Sequence, residues 1–137
     1  MIFLFIQKNL VMKNFDYKPY LKSLAKYMAD NGYTRRPFPK VLLDHTKQDG
    51  VFIYTGYFDP DKNGIRLFVS DRHPKDVLRT FAHELIHWKQ QVDGTIDQSG
   101  YSGNQITEDN NLRPLEEDAY LNGNMAFRSW TETMQKK

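Results

Sequence analysis

The sequence predicts an α+β fold in two layers, with three helices and a small, mainly antiparallel sheet in one domain. Apolar residues recur at helical spacing in three segments, and short segments rich in β-branched and aromatic residues lie between the first two. The 137 residues suffice for one modest core. The absence of cysteine excludes a disulfide scaffold, a cysteine zinc ribbon and a cysteine nucleophile.

The N-terminal residues 1–16 are expected to be either a leader or a short packing segment. The apolar stretch 1–6 (MIFLFI) is too short for a membrane span or a secretory signal, and polar residues follow it at once. Met12 offers an alternative start, which would make residues 1–11 dispensable. We therefore expect a cytoplasmic protein, in the host cytoplasm if it is viral, with its domain over residues 17–134.

The first helix is predicted over residues 17–31, where apolar side chains recur at i, i+3, i+4 and i+7. The pair Asn31-Gly32 provides a C-terminal stop. Three strands are predicted next, over residues 40–44, 51–58 and 65–70. Residues 59–64 are dense in turn formers, so the last two strands should form a hairpin.

Two further helices are predicted in the C-terminal half. The second begins near Pro74, which suits the first helical position, and ends before Asp93-Gly94. Residues 93–113 are polar and rich in Gly, Asn and Ser, and a loop of that length is usually functional or disordered. The third helix then runs from Leu115 to about Trp130.

The second helix contains an H-E-x-x-H pattern formed by His83, Glu84 and His87. With about 100° of rotation per residue, the two histidines lie on nearly the same face one turn apart, so both can bind one Zn²⁺. Glu84 lies beside such a metal but is poorly placed as a ligand, which suits a general base acting on water. Two surface histidines are the simpler interpretation, but the helical context and the apolar back face of the helix favour a metal site.

A catalytic zinc site usually has three protein ligands and one open position. No histidine follows His87, so a third histidine could come only from upstream. For His45 and His73 we expect ordinary surface histidines, with His73 capping the second helix or contacting substrate. The third ligand is therefore expected to be a downstream carboxylate.

Three downstream carboxylates compete for that position. Glu116, in the first turn of the third helix, is favoured because Ala119 and Gly123 lie on or beside the same face and allow two helices to approach closely. Asp97 is the second candidate, although a solvated turn residue is the simpler interpretation. Glu117 is the third, although an acidic residue here also complements the helix dipole.

With these residues the chain resembles a zincin metallopeptidase of a minimal gluzincin type. The resemblance rests on the H-E-x-x-H pattern at 83–87 and on residues 116–119, which match the E-x-x-A pattern that carries the third ligand in several gluzincin groups. Residues 114–120 are similar to a helix start in small zincin-like proteins of phages and bacteria. The resemblance covers about residues 17–130 and implies a zincin-like fold with Zn²⁺ bound by His83, His87 and Glu116.

Two features depart from the gluzincin pattern. The acidic residue usual four positions after the liganding glutamate is Tyr120 here, so the group that orients the histidines is left open. Residues 94–101 are close to the G-T-x-D-x-x-Y-G signature of aspzincins, with one extra residue before the tyrosine. That similarity keeps Asp97 as an alternative ligand and Tyr101 as a hydrogen-bond donor in the transition state.

The resemblance implies hydrolysis of peptide bonds, with Glu84 taking a proton from water and Tyr101 or Tyr120 stabilising the oxyanion. The expected partner is a protein or peptide substrate, added as a strand at the edge of the hairpin. The alternative is a catalytically inactive zincin fold that binds or regulates a partner.

A nucleic-acid module is a weaker alternative, and no membrane partner is expected. It would use four arginines: Arg35, Arg36, Arg66 and Arg72. The formal net charge of +2 is small for such a role.

Overall fold

The computed structural model describes residues 15–50, 53–93 and 113–135. Its elements in chain order are α1 (Lys18–Asp30), β1 (Lys40–Asp44), β2 (Gly56–Asp59), β3 (Gly64–Phe68), α2 (Pro74–Val92) and α3 (Arg113–Gln135). Three helices and a three-stranded sheet confirm the predicted α+β class. The expectations of a leader and of an alternative start at Met12 fall outside the described residues, as does most of the loop 93–113.

Helix α1 agrees with its prediction to within a residue at each end. It buries Leu24 and Met28 completely, and Gly32 follows it with a φ of +83°, in the left-handed region where glycine is favoured. The indole N–H of Trp130, on α3, donates to Ser23 Oγ at 3.0 Å. This bond fixes α3 against α1 at the end of the molecule far from the start of α3.

The sheet has the order β1-β3-β2 and is mixed, where the sequence predicted a mainly antiparallel one. Strands β2 and β3 form the expected antiparallel hairpin, with Phe58 opposite Ile65. Strand β1 instead runs parallel to β3, with Val41 also opposite Ile65. The reason is that the chain crosses the sheet after β1 and enters at the opposite edge, so β3 returns between the two earlier strands.

Strand β2 is shorter than predicted and begins at Gly56. The side-chain amide of Gln48 accounts for part of the difference, because it bonds both the backbone N–H and the carbonyl of Tyr54, each at 2.8 Å. Backbone groups bound in this way are not available to a strand partner. Residues 51–52 of the predicted strand lie outside the described ranges.

Strand β3 shows the predicted alternation, since Ile65 and Leu67 are buried while Arg66 lies on the other face. The buried face packs on α2. Arg72 connects the two layers, because its guanidinium donates to the carbonyls of Thr55 and Phe68 and to Thr80 Oγ1 on α2. These bonds set the position of α2 beneath the hairpin.

Helix α2 begins and ends as predicted, and side chains at both ends hold it in place. His73 caps its N-terminus, because its Nδ1 accepts the backbone N–H of Lys75 at 3.0 Å, and Pro74 takes the first helical position. Near the C-terminal end, the indole N–H of Trp88 donates to Asn63 Oδ1 in the hairpin turn at 2.8 Å. The helix therefore lies along the hairpin with its register fixed.

Helix α3 packs mainly along α2 and to a smaller extent on α1. Ala119 and Ala126 are completely buried in these contacts, and Phe127 is nearly so. Of the three helices in the described part of the chain, none has the length and apolar character of a membrane span.

Candidate metal centre

Three side chains from α2 and α3 converge on one point, and they are the three that the sequence predicts. His83 Nε2 lies 2.8 Å from Glu116 Oε1 and 3.1 Å from His87 Nε2. His87 Nε2 lies 3.2 Å from Glu116 Oε2. A tetrahedral ion with bonds of about 2.0–2.1 Å holds its ligand atoms roughly 3.3–3.4 Å apart. The two histidines meet different oxygens of Glu116, and one ligand atom from each of the three side chains lies within 4.8 Å of the other two, which is close enough to share an ion.

Two nitrogens and one carboxylate are also the donor set that borderline-soft divalent ions accept. Over residues 15–50, 53–93 and 113–135, this is the group of histidine and acidic side chains placed closely enough to hold a metal ion. We conclude that His83, His87 and Glu116 can hold a metal ion.

The site is largely buried, and His83 is its most exposed member. The side chains of His87 and Glu116 are 2% and 7% exposed, whereas that of His83 is 16% exposed. The ring of Tyr120 packs against that of His83, with the two centroids 4.4 Å apart. Within the described residues, the three converging side chains account for three positions of a tetrahedral site.

A glycine allows the two helices to come close enough to share a metal. A Cβ on Gly123 would lie 3.1 Å from the Cα and 3.2 Å from the backbone nitrogen of His83. The sequence prediction that α3 approaches α2 closely beside Gly123 is confirmed. Because Glu116 lies two turns earlier on the same helix, this contact sets how far its carboxylate reaches.

Glu84 lies beside the three converging side chains and not among them. It is buried, with 8% of its surface exposed, and its carboxylate accepts the backbone N–H of Phe58 on β2. Burial raises the pKa of Glu84, while the charges of His87 and His83 act against that rise. The carboxylate is thus held by the sheet and lies in the field of the site, as the predicted general base requires.

The ionisation of Glu116 and His87 is coupled. Burial alone would raise the pKa of Glu116, but hydrogen bonds from His83 and His87 lower it to about 2. Burial alone would lower the pKa of His87, but its hydrogen bond to Glu116 and the charges of Glu84 and Glu116 raise it. Each of the two groups therefore stabilises the charged form of the other.

We expect the metal-free protein to lose stability as the pH rises above 6.5, the ordinary pKa of histidine. A raised pKa contributes stability that is complete below the ordinary value and is lost as the pH passes the folded value. The raised pKa of Glu84 acts in the same direction. Glu116 acts oppositely, since its contribution is present above 4.5 and is lost as the pH falls toward 2.

Thermal unfolding with and without added zinc, between pH 6 and pH 8, checks this expectation. Because metal binding needs neutral imidazoles, zinc should raise the Tm more at pH 8 than at pH 6. A Glu116→Gln variant should show a weaker pH dependence when metal-free. An equal zinc effect at both pH values would contradict binding through His87.

Gln90, which the sequence analysis missed, orients His87. Its Oε1 lies 3.0 Å from His87 Nδ1, and its Nε2 donates to the carbonyl of Leu115 at 3.0 Å and to Asp118 Oδ2 at 2.8 Å. Asp118 therefore does more than complement the helix dipole. The spacing of Gln90, three residues after His87 on one helix face, was a signal that could have indicated this contact.

The remaining predicted site residues have different outcomes. Glu117 and His45 are exposed, and neither belongs to the converging group. His73 acts as a helix cap, one of the two roles expected for it. Asp97 and Tyr101 lie outside the described residues.

Tyr120 lies against the site, and the residue as a whole is 57% exposed. Burial raises its pKa, and the negative charges of Glu116 and Glu84 raise it further. The hydroxyl is thus protonated at neutral pH and can act as a hydrogen-bond donor.

Comparison of the chain with known proteins identifies no relative. No protein family, characterised protein or solved structure shows a significant match to the chain.

Proposed function

We propose that this protein is a zinc-dependent metallopeptidase with a minimal gluzincin-like site. The observation that carries the proposal is the convergence of His83, His87 and Glu116, with the buried carboxylate of Glu84 beside them. Two neutral imidazoles and one carboxylate, with a fourth position for water, are the usual arrangement of a catalytic zinc site. A purely structural zinc site would have a fourth protein ligand, whereas the group within the described residues has three.

When bound, Zn²⁺ would supply a Lewis acid that polarises a carbonyl and lowers the pKa of water toward 7. The chain's own residues account for the proton movements. Ionised Glu84 accepts a proton from the attacking water and then delivers it to the leaving amine. The raised pKa of Glu84 suits both roles, because it brings the carboxyl nearer to neutral pH. We assign Tyr120, whose ring packs against that of His83, the role of donating its hydroxyl proton in a hydrogen bond to the oxyanion.

Strand β2 supports a peptide as the substrate. It is an edge strand of the described sheet. The Phe68 N–H donates to Thr55 O at 3.1 Å, so these two residues form a hydrogen-bonded pair of the ladder. Because such pairs alternate with pairs that are not hydrogen-bonded, the backbone groups of Gly56 and Phe58 point away from β3. The Phe58 N–H is already bonded to Glu84, so an added peptide would pair with the remaining outward groups of this edge, the N–H and carbonyl of Gly56 and the carbonyl of Phe58. An extended peptide bound in this way would pass beside the cluster.

The approach of β2 to the metal-binding helix depends on a small residue. A Cβ on Gly56 would lie 2.8 Å from Thr80 Cγ2 and 3.0 Å from the carbonyl oxygen of Arg66. Thr80 precedes Glu84 by one helical turn. The edge of the sheet therefore runs immediately beside the helix that carries the general base.

Zinc content measured by native mass spectrometry, for wild type and Glu116→Ala, tests the proposal. We expect one zinc per wild-type chain and a loss or marked loosening in the variant, because a two-histidine site lacks the third ligand of Zn²⁺. Cleavage of a peptide library by zinc-loaded wild type then tests hydrolysis directly.

Glu117→Ala is the matched control, since it removes the adjacent carboxylate on an exposed position of the same helix turn. It should keep its zinc. Full zinc retention in Glu116→Ala would move the third ligand to another carboxylate, such as Glu117 or Asp97. Absence of zinc from wild type, even after reconstitution, would remove the metallopeptidase proposal.

A binding protein that carries the same site without cleaving is the second candidate. Zinc-loaded wild type that leaves all peptides of the library intact would favour it. The nucleic-acid alternative stays a weaker hypothesis, and its four arginines have partners within the protein. These are Asp93 for Arg35, Asp30 for Arg36, Asp44 for Arg66, and backbone carbonyls with Thr80 for Arg72. The cytoplasmic location stays a prediction.

A further inference from the structure

The side-chain amide of Gln90 has its orientation fixed by two groups that can only accept hydrogen bonds. One is the carbonyl oxygen of Leu115 at 3.0 Å, and the other is the carboxylate of Asp118 at 2.8 Å. The NH₂ of the amide must face both of them, because an amide oxygen there would meet two further oxygens. The Gln90 oxygen must then face His87.

This orientation determines which nitrogen of His87 carries a proton. The Gln90 oxygen lies 3.0 Å from Nδ1, and an amide oxygen accepts but cannot donate. Nδ1 must therefore be the N–H donor in this contact. In the neutral imidazole the lone pair is left on Nε2, which faces His83 and Glu116.

A lone pair in that place requires a positive partner. His87 Nε2 lies 3.2 Å from a carboxylate oxygen and 3.1 Å from another imidazole nitrogen, in a buried position. Neutral His87 would point its lone pair at the negative charge of Glu116. A cation bound between the three atoms would remove this repulsion.

We propose that Gln90 is a positioning residue, held by Asp118, that presents the Nε2 lone pair of His87 to the metal. The inference rests on the proposed metal site. The same amide also bonds the carbonyl of the residue before Glu116. One side chain thus sets the tautomer of one ligand and the position of the helix start that carries another.

This arrangement answers the question left open by Tyr120, which stands where gluzincins carry an acidic residue. In many zinc proteins a carboxylate or carbonyl oxygen accepts the free N–H of a liganding histidine. Here the amide oxygen of Gln90, on the same helix as His87, accepts that N–H. The carboxylate of Asp118 in turn accepts a hydrogen bond from the Gln90 amide nitrogen.

The test compares wild type with Gln90→Met, which keeps the length of the side chain and removes its oxygen. Zinc affinity is measured by competition with a chromophoric chelator, and the His87 ring protons by NMR of ¹⁵N-histidine-labelled protein. We expect zinc binding about 10- to 100-fold weaker in Gln90→Met, the usual effect of losing such a partner. The Nδ1–H signal of His87 should be slow to exchange in wild type and lost in the variant.

Gln91→Met is the matched control, because it makes the same change at the next position of α2 and should leave both readouts as in wild type. Asp118→Asn keeps the size of that side chain, can still accept from the Gln90 amide through its oxygen and should retain the signal that Gln90→Met loses. If Gln90→Met fails to fold by circular dichroism, the two variants of Asp118 decide. Asp118→Leu should speed the exchange of the Nδ1–H signal, and Asp118→Asn should not.

Two results would overturn the inference. One is Gln90→Met with wild-type zinc affinity and an unchanged Nδ1–H signal, and the other is coordination of zinc through Nδ1 of His87. Failure of the proposed function can be distinguished from failure of this inference, because wild-type protein that binds no zinc can still be examined metal-free. In that case a protected Nδ1–H in wild type that disappears in Gln90→Met would support the positioning role.

Discussion

Replacing Glu84 with glutamine is expected to leave zinc in place and to lower the rate of peptide hydrolysis by about 10²- to 10⁴-fold, the usual contribution of a general base. Glutamine keeps the size of the side chain and can still accept the backbone N–H of Phe58. It cannot take a proton from water. The measurement is kcat on a cleaved library peptide, with zinc content determined on the same sample.

A stability measurement separates this effect from a change in folding. Burial raises the pKa of Glu84, so removing its charge should not lower the Tm at neutral pH. A zinc-loaded Glu84→Gln variant with wild-type kcat would contradict the general-base role. A variant without zinc would show instead that the carboxylate supports the metal site itself.

Replacing Gly123 with leucine is expected to destroy the metal site from a distance. The new side chain would meet the backbone of His83, which cannot move without moving α2. Overpacking of this kind costs about 1–3 kcal/mol of unfolding free energy. The two helices would separate, the carboxylate of Glu116 would leave the histidines, and zinc binding should be lost or strongly weakened.

Chelator competition measures the loss of zinc affinity, and thermal unfolding measures the loss of stability. Asn124→Leu is the control, because it places the same side chain at the next position of α3, where it is exposed. It should change neither quantity. Wild-type zinc affinity in Gly123→Leu would mean that the carboxylate reaches the metal without close helix packing.

The three side chains that could hold a metal ion were predictable because the patterns that indicate them are local in the sequence. His83 and His87 are one turn apart on a strongly patterned helix, and Glu116 follows a proline at the start of the next one. The close approach of α2 and α3 could also be predicted, since Gly123 lies on the same helix face as Glu116. Local spacing thus contained both halves of the site and the contact that joins them.

The orientation of the Gln90 amide and the direction of β1 could not be predicted in the same way. The role of Gln90 depends on Leu115 and Asp118, which are distant in sequence and meet it only after α3 docks. The parallel pairing of β1 depends on the path of the chain across the sheet, which strand periodicity does not encode. Both features arise from tertiary contacts between segments with no shared pattern.

The division of the ligands between α2 and α3 also makes the metal a cross-link. His87 and Glu116 are separated by 29 residues along the chain, so a bound ion would close a loop that the unfolded chain leaves open. Helix α3 is held mainly by α2, and its detachment would break a coordination bond at the same time. A bound ion should therefore make the undocking of α3 rarer, so that chelators raise the rate at which proteases cut the C-terminal helix.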